Sequence, residues 1–252
     1  MVGVKSRKGH ILAKRSKESP KKSSPSVPTP KVTPVVPKSA GQERFLDSIQ
    51  HNEITICDGP AGSGKTLIAF GCSLQHYFKD EAIKKIVIVR PTVRAGDDDD
   101  LGYLPGDLNE KMSPFLAPII KDSAPLLLKP EGYRNFNSKV RFDPYASILS
   151  RLDIEVVPLA FIRGRTFNNS FVILDEAQNC TMGDFKLFLT RIGRYSKVVV
   201  EGDSTQSDID DSGLVRLMEK MQDIEGVSLV KLSSQDIIRN PLIAKILQRL
   251  DR

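Results

Sequence analysis

The stretch GPAGSGKT, Gly59 to Thr66, follows the apolar run EITIC (53–57) and matches the spacing GxxxxGK[ST] at every fixed position. Holding a polyphosphate calls for such a sequence. Glycines let successive backbone N–H groups curl around phosphate oxygens, a lysine after the last glycine reaches the outer phosphates, and the hydroxyl beside it ligates Mg²⁺. The helix that follows turns its positive end toward the anion. Gly59, Pro60, Ala61, Gly62, Ser63, Gly64, Lys65 and Thr66 are therefore the expected phosphate cradle, with Thr66 as a metal ligand. The competing reading, a Gly-rich turn with an exposed lysine, does not explain the placement between a predicted strand and a predicted helix.

Downstream, FVILDEAQ (171–178) supplies a partner for the loop. An apolar strand ending in a carboxylate places Asp175 to hold the Mg²⁺ shell, and the adjacent Glu176 is a candidate general base for an attacking water. Solvated strand-terminal charges are the alternative, but two acids at this point suggest hydrolysis rather than binding alone. The strand-length runs EITIC, KIVIVR (85–90), IEVVPL (154–159), FVILD (171–175), KVVVEG (197–202) and SLVKL (228–232) alternate with helical patterns at 65–78, 106–121, 181–192, 212–221 and 241–250. Near-continuous apolar strands alternating with helices imply an α/β fold with a mainly parallel sheet flanked by helices. KIVIVR lies between the two anchors in the chain, and this suggests that another strand is inserted between them in the sheet, as in RecA-like and AAA-type ATPases.

Charge is distributed unevenly. Of the chain's 37 Lys and Arg, ten lie in residues 1–40 beside one of its 31 acids, so this segment carries +9 and the remainder −3. It also holds six of the sixteen prolines. A Lys/Pro/Ser-rich segment of this kind cannot bury enough apolar surface to offset its chain entropy, and residues 1–40 are expected to be a disordered tail preceding one domain at 41–252. A nucleic-acid-binding arm, a leader and a linker are all open for it. The three cysteines form no CxxC pair and the three histidines no metal-binding spacing. No apolar run reaches the roughly 18 residues of a membrane span, so the chain reads as cytoplasmic, with no membrane partner.

Three features narrow the class of phosphate-loop protein. Gln42, in GQERFLDSIQ (41–50), resembles the glutamine by which superfamily 1 helicases read adenine, which favours ATP over GTP. RPTVRAG (90–96) is similar to the helicase element in which a threonine and nearby groups contact single-strand phosphates; Thr92 and Arg94 take that place here. EGDSTQ (201–206) looks like the helicase GDxxQ element, whose glutamine, here Gln206, senses the γ-phosphate.

Taken with LGYLPGDLNEKMSPFLAPI (101–119), IEVVPLAFIRGRTFNNSFVILDEAQN (154–179), FLTRIGRYSKVVVEGDSTQSD (188–208) and SSQDIIRNPL (233–242), these stretches resemble the PhoH family of phosphate-loop ATPases across residues 41–250. The resemblance implies a RecA-like core related to superfamily 1 helicases, ATP hydrolysis with Mg²⁺, an RNA-linked role and, in some members, a hexameric ring. The run GDDDD (96–100) departs from the family by placing four acids beside the proposed nucleic-acid element, where they repel phosphate. Segment 121–150 also fits poorly, and no ribonuclease constellation is present.

Charge on the transferring phosphoryl group calls for an arginine, in cis or from a neighbouring subunit, and Arg163, Arg165 and Arg239 are the candidates. The leading expectation is a Mg²⁺-dependent ATPase, helicase-like, acting as a homohexameric ring on single-stranded nucleic acid, RNA ahead of DNA. An ATP-binding regulatory or assembly protein without motor activity is the alternative, and a small-molecule kinase is a weaker third.

Overall fold

The computed structural model describes residues 31–91, 123–129, 152–238 and 249. Its centre is a six-stranded sheet built from β2 (Ile54–Asp58), β3 (Lys85–Arg90), β5 (Ile154–Pro158), β6 (Ser170–Leu174), β7 (Lys197–Gly202) and β8 (Val227–Lys231). The spatial order is β5-β3-β6-β7-β2-β8, and every pairing is parallel. The expected intervening strand is present: β7 separates β2 from β6, while KIVIVR, as β3, pairs on the outer side of β6.

Both sheet faces are covered, which is why the strands are apolar at consecutive positions. Alternation along β7 sends Val198 and Val200 to one face and Val199 to the other. Val198 and Val200 pack with Phe185 and Phe188 of α3 (Met182–Leu189) and with Leu214 and Leu217 of α4 (Leu214–Lys220). Val199 joins Phe45 and Ile49 of α1 (Ala40–His51) and Ile68 and Cys72 of α2 (Lys65–Lys79). Burying a Phe or Ile side chain contributes about 1.5–3 kcal/mol, so the two layers dominate stability. α3 begins in a capping box: Thr181 Oγ1 accepts from Asp184 N while Asp184 Oδ2 accepts from Thr181 N.

The tail assigned to residues 1–40 gives up residues 31–40 to the fold; residues 1–30 lie outside those described. β1 (Lys31–Val32) pairs antiparallel with β4 (Leu128–Lys129), and Thr33 N donates to Leu127 O at 2.7 Å. Val35 then lies across α2 at Gly71, where a Cβ would overlap its Cγ2. Two valines thus find an apolar seat that overall composition cannot reveal. Ser39 closes the strap by capping α1, its Oγ accepting from Gln42 N at 3.1 Å. The helices expected near 106–121 and 241–250 fall outside the described residues.

Candidate nucleotide site

In a parallel sheet, the carboxyl ends of the strands form one edge where loops converge. Here the loops after β2, β6 and β7 and the last residue of β3 line a cleft of about 380 Å³. The loop after β2 turns sharply, with Gly62 at φ 82° and Gly64 at φ 83°, left-handed values that disfavour side chains. Lys65 folds back over it, Nζ donating to Gly59 O at 2.6 Å and Pro60 O at 3.1 Å.

The loop is braced from four directions. Asp203 Oδ2 accepts from Ala61 N at 2.9 Å, and Gly59 N donates to Gly202 O at 3.1 Å, both from the end of β7. Gln42 Nε2 donates to Ser63 O at 2.7 Å from α1. Ile238 N donates to Gly62 O at 3.3 Å. Leu232, just past β8, packs so closely that a Cβ on Gly59 would meet its Cβ at 2.5 Å. Asp236 ties these parts together by accepting from Gly41 N at 3.1 Å and Ser39 Oγ at 2.7 Å, besides Ser233 N. Burial is the largest single influence on its carboxyl and pushes it up, but these hydrogen bonds together outweigh burial and hold it below the usual range.

Asp175 is 3 % exposed and sits between β3 and β7. Its Oδ2 accepts from Arg90 Nε at 2.7 Å and also from Arg90 Nη2, while Oδ1 accepts from Glu176 N at 2.9 Å. Glu176 adopts φ 56°, a costly conformation for a non-glycine residue, of order 1–3 kcal/mol, and one typical of functional loops. Gln178 holds it there: Nε2 donates to Glu176 Oε2 at 2.7 Å while Oε1 accepts from Asp203 N at 3.0 Å. Asp58 secures the next residue, Oδ1 and Oδ2 accepting from Ser204 N and Oγ at 2.9 and 2.7 Å. One chain of hydrogen bonds therefore runs from Glu176 through Gln178 and Asp203 to Ala61 of the phosphate loop.

Glu201 is wholly buried on β7, on the α2 face, and both carboxyl oxygens lack a partner in hydrogen-bonding geometry. Burial first, then the neighbouring Asp175 charge, pushes its carboxyl well above the usual range; Lys65 and the nearby Thr66 hydroxyl oppose this. Thr66, Asp175 and Glu176 present oxygen donors, the set that suits Mg²⁺ rather than softer metals.

Of the residues expected from sequence, Lys65, Thr66, Asp175, Glu176 and Gln206 line the cleft together with Ala61, Gly62 and Gly64. Gln42 stands behind the loop, its carboxamide engaged by Ser63 O and Lys38 N. Arg165 pairs with Glu155 at 2.7 Å and lies 5.4 Å over the Phe167 ring. Glu155 is three residues before Pro158, the partner of Arg90 in register, so this pair sits about 10 Å back from the cleft along the edge strand β5. Arg163 is exposed. Thr92, Arg94, Arg239 and the acidic run 96–100 lie outside the described residues. Sequence reasoning missed Arg90, Gln178 and Glu201; the signal available for Glu201 was a charge interrupting the apolar run KVVVEG.

The chain has relatives among known proteins. The family described as PhoH-like protein matches residues 34–251. The PhoH-like protein of Bacillus subtilis (strain 168) is 38% identical over 218 residues, covering 85% of this chain and 63% of its own length. Protein PhoH of Escherichia coli (strain K12) is 34% identical over 218 residues, covering 85% and 58%. The chain thus spans about three fifths of these relatives. Among solved structures, the large terminase from a thermophilic bacteriophage aligns over 85% of this chain and 50% of its own, at 13% identity and a TM-score of 0.49.

Proposed function

The chain belongs to the PhoH-like protein family, and on that premise we propose that it is a Mg²⁺-dependent ATPase that assembles as a homohexameric ring on single-stranded nucleic acid, RNA ahead of DNA. The observation that carries the proposal is the unbroken line Glu176–Gln178–Asp203–Ala61. It makes the geometry of an acidic residue suited to proton transfer depend on the phosphate loop and on the GDSTQ segment at once. A binding protein without turnover has no use for that dependence.

In this reading Lys65 leaves the loop carbonyls for the outer phosphate oxygens. The backbone N–H groups of residues 62–66 surround the phosphates, while Ala61 N stays on Asp203. Thr66 and Asp175 would hold Mg²⁺, which would supply positive charge to neutralise the phosphate oxygens. Glu176, positioned by Gln178, accepts the proton of the attacking water. Gln206, exposed at the cleft rim, registers loss of the terminal phosphate, and Gln178 passes the change to the same loop. Gln42 reads adenine by exchanging its present partners for the base edge. Thr92 and Arg94 contact the strand. Arg165, anchored on Glu155 and turned away from its own cleft, serves a neighbouring subunit in a head-to-tail ring, and Arg239 is the other candidate.

Phosphate release by the wild type, Lys65→Ala and Glu176→Gln, with and without defined RNA and DNA strands, tests the proposal. Loss of about 10²–10³ in rate in each variant is expected, with stimulation by RNA. Equal rates in all three proteins refute hydrolysis at this site, and ATP-dependent assembly without turnover supports a regulatory protein instead.

A further inference from the structure

Lys65 and Arg90 are the cations lining the cleft among the described residues. Lys65 belongs to the phosphate loop, whereas Arg90 stands apart from it. It ends β3, and β3 lies on the far side of β6 from the loop, so its guanidinium enters the cleft opposite the phosphate-binding wall. Its side chain is 18% exposed. Nε and Nη2 both donate to Asp175 Oδ2, and Glu176 Oε1 is 3.8 Å away.

A carboxylate oxygen has two lone pairs. Arg90 takes both on Oδ2, and the Glu176 N–H takes one on Oδ1. A divalent cation approaching Asp175 must therefore compete with a guanidinium already seated there. Without that guanidinium, two adjacent carboxylates with little solvent around the first would repel each other. An arginine remains charged throughout and its planar fork fits phosphate oxygens as well as carboxylate.

Resting on the ATPase reading, we propose that Arg90 is an internal counter-cation of the Asp175–Glu176 pair that a divalent metal displaces, and that the displaced guanidinium then engages the terminal phosphate. Arg90 thereby supplies a charge in cis, in addition to the arginine that a neighbouring subunit delivers in the ring. It also sets the order of loading, because its release from Asp175 follows metal arrival and its new anion is the triphosphate end.

Mn²⁺ titration of the full chain, read by electron paramagnetic resonance without nucleotide, separates the first half of the proposal from turnover. Arg90→Gln is expected to bind Mn²⁺ about tenfold more tightly than wild type, because the metal no longer has to displace a charged guanidinium from Asp175 Oδ2. Its phosphate release should fall about 10²–10³-fold. Arg90→Lys, which keeps the charge and loses the fork, should retain wild-type Mn²⁺ affinity while turnover falls about tenfold or more. Unchanged or weaker Mn²⁺ binding by folded Arg90→Gln overturns the counter-cation role. Wild-type turnover in Arg90→Lys overturns the phosphate role, and does so even should Arg90→Gln not fold. A wild type that releases no phosphate sinks the ATPase reading and the phosphate role with it, leaving the Mn²⁺ comparison to decide the counter-cation role alone.

Discussion

Replacing Glu201 by leucine should stabilise the protein. Both oxygens of this wholly buried carboxyl are without partners, and an unsatisfied buried polar group costs about 1–3 kcal/mol. Leucine has nearly the same volume and packs with Val199 and Ile68 on the same face. Lys65 and Thr66 return part of the cost in the wild type, so a net gain of about 2 kcal/mol is expected at neutral pH. For a chain of this size 1 kcal/mol moves Tm by about 2–4 °C, so the shift is about 4–8 °C. The gain also depends on pH. The folded carboxyl titrates above its ordinary value, so its contribution is fully present below the unfolded pKa of about 4.3 and is lost as pH rises toward the folded one. Leucine has no such loss, and the gap between the proteins must widen from pH 5 to pH 7. Thermal unfolding at both values measures it. A variant less stable than wild type, or a gap that does not change with pH, refutes the reasoning.

Asp203→Ala removes the acceptor of Ala61 N and of Thr205 N and Oγ1; it should cost about 2–3 kcal/mol in urea unfolding and weaken ATP binding measured by calorimetry. Gln178→Ala unties Glu176 from Asp203, and steady-state kinetics should show kcat falling at least about tenfold with KM little changed. Gly59→Ala forces a Cβ against Leu232, with an expected loss of about 1–3 kcal/mol from overpacking, detectable as a lowered unfolding midpoint.

Legibility in the sequence followed locality. GPAGSGKT and DEAQ were readable because a phosphate cradle and a strand-end carboxylate are each built from neighbours in the chain, and β2, β6 and β7 were readable from their consecutive apolar residues. The position of β7 between the anchors is a matter of long-range pairing, and only analogy reached it. Arg90 was hidden for the same reason: it closes one strand and meets Asp175 on another. Gln178 looked like the last letter of a motif until its two amide atoms were seen facing two different loops. Residues 31–40 were misassigned because average composition outweighed Val32 and Val35, whose apolar seat is created by β4 and Gly71.

The grip of Asp236 on Ser39 and Gly41, with Ile238 on Gly62, has a consequence during synthesis. The phosphate loop leaves the ribosome long before the residues that brace it. At about 5–20 residues per second, Gly62 waits roughly 9–35 s for Ile238, since 238 − 62 is 176 positions. For most of that interval, until β7 is complete at Gly202, β2 has neither β7 nor β8 beside it, and the inner faces of α1 and α2 have only part of their sheet to cover. A ribosome stalled before Asp236 would present a nascent chain with every residue of GPAGSGKT made and the cradle still without its brace.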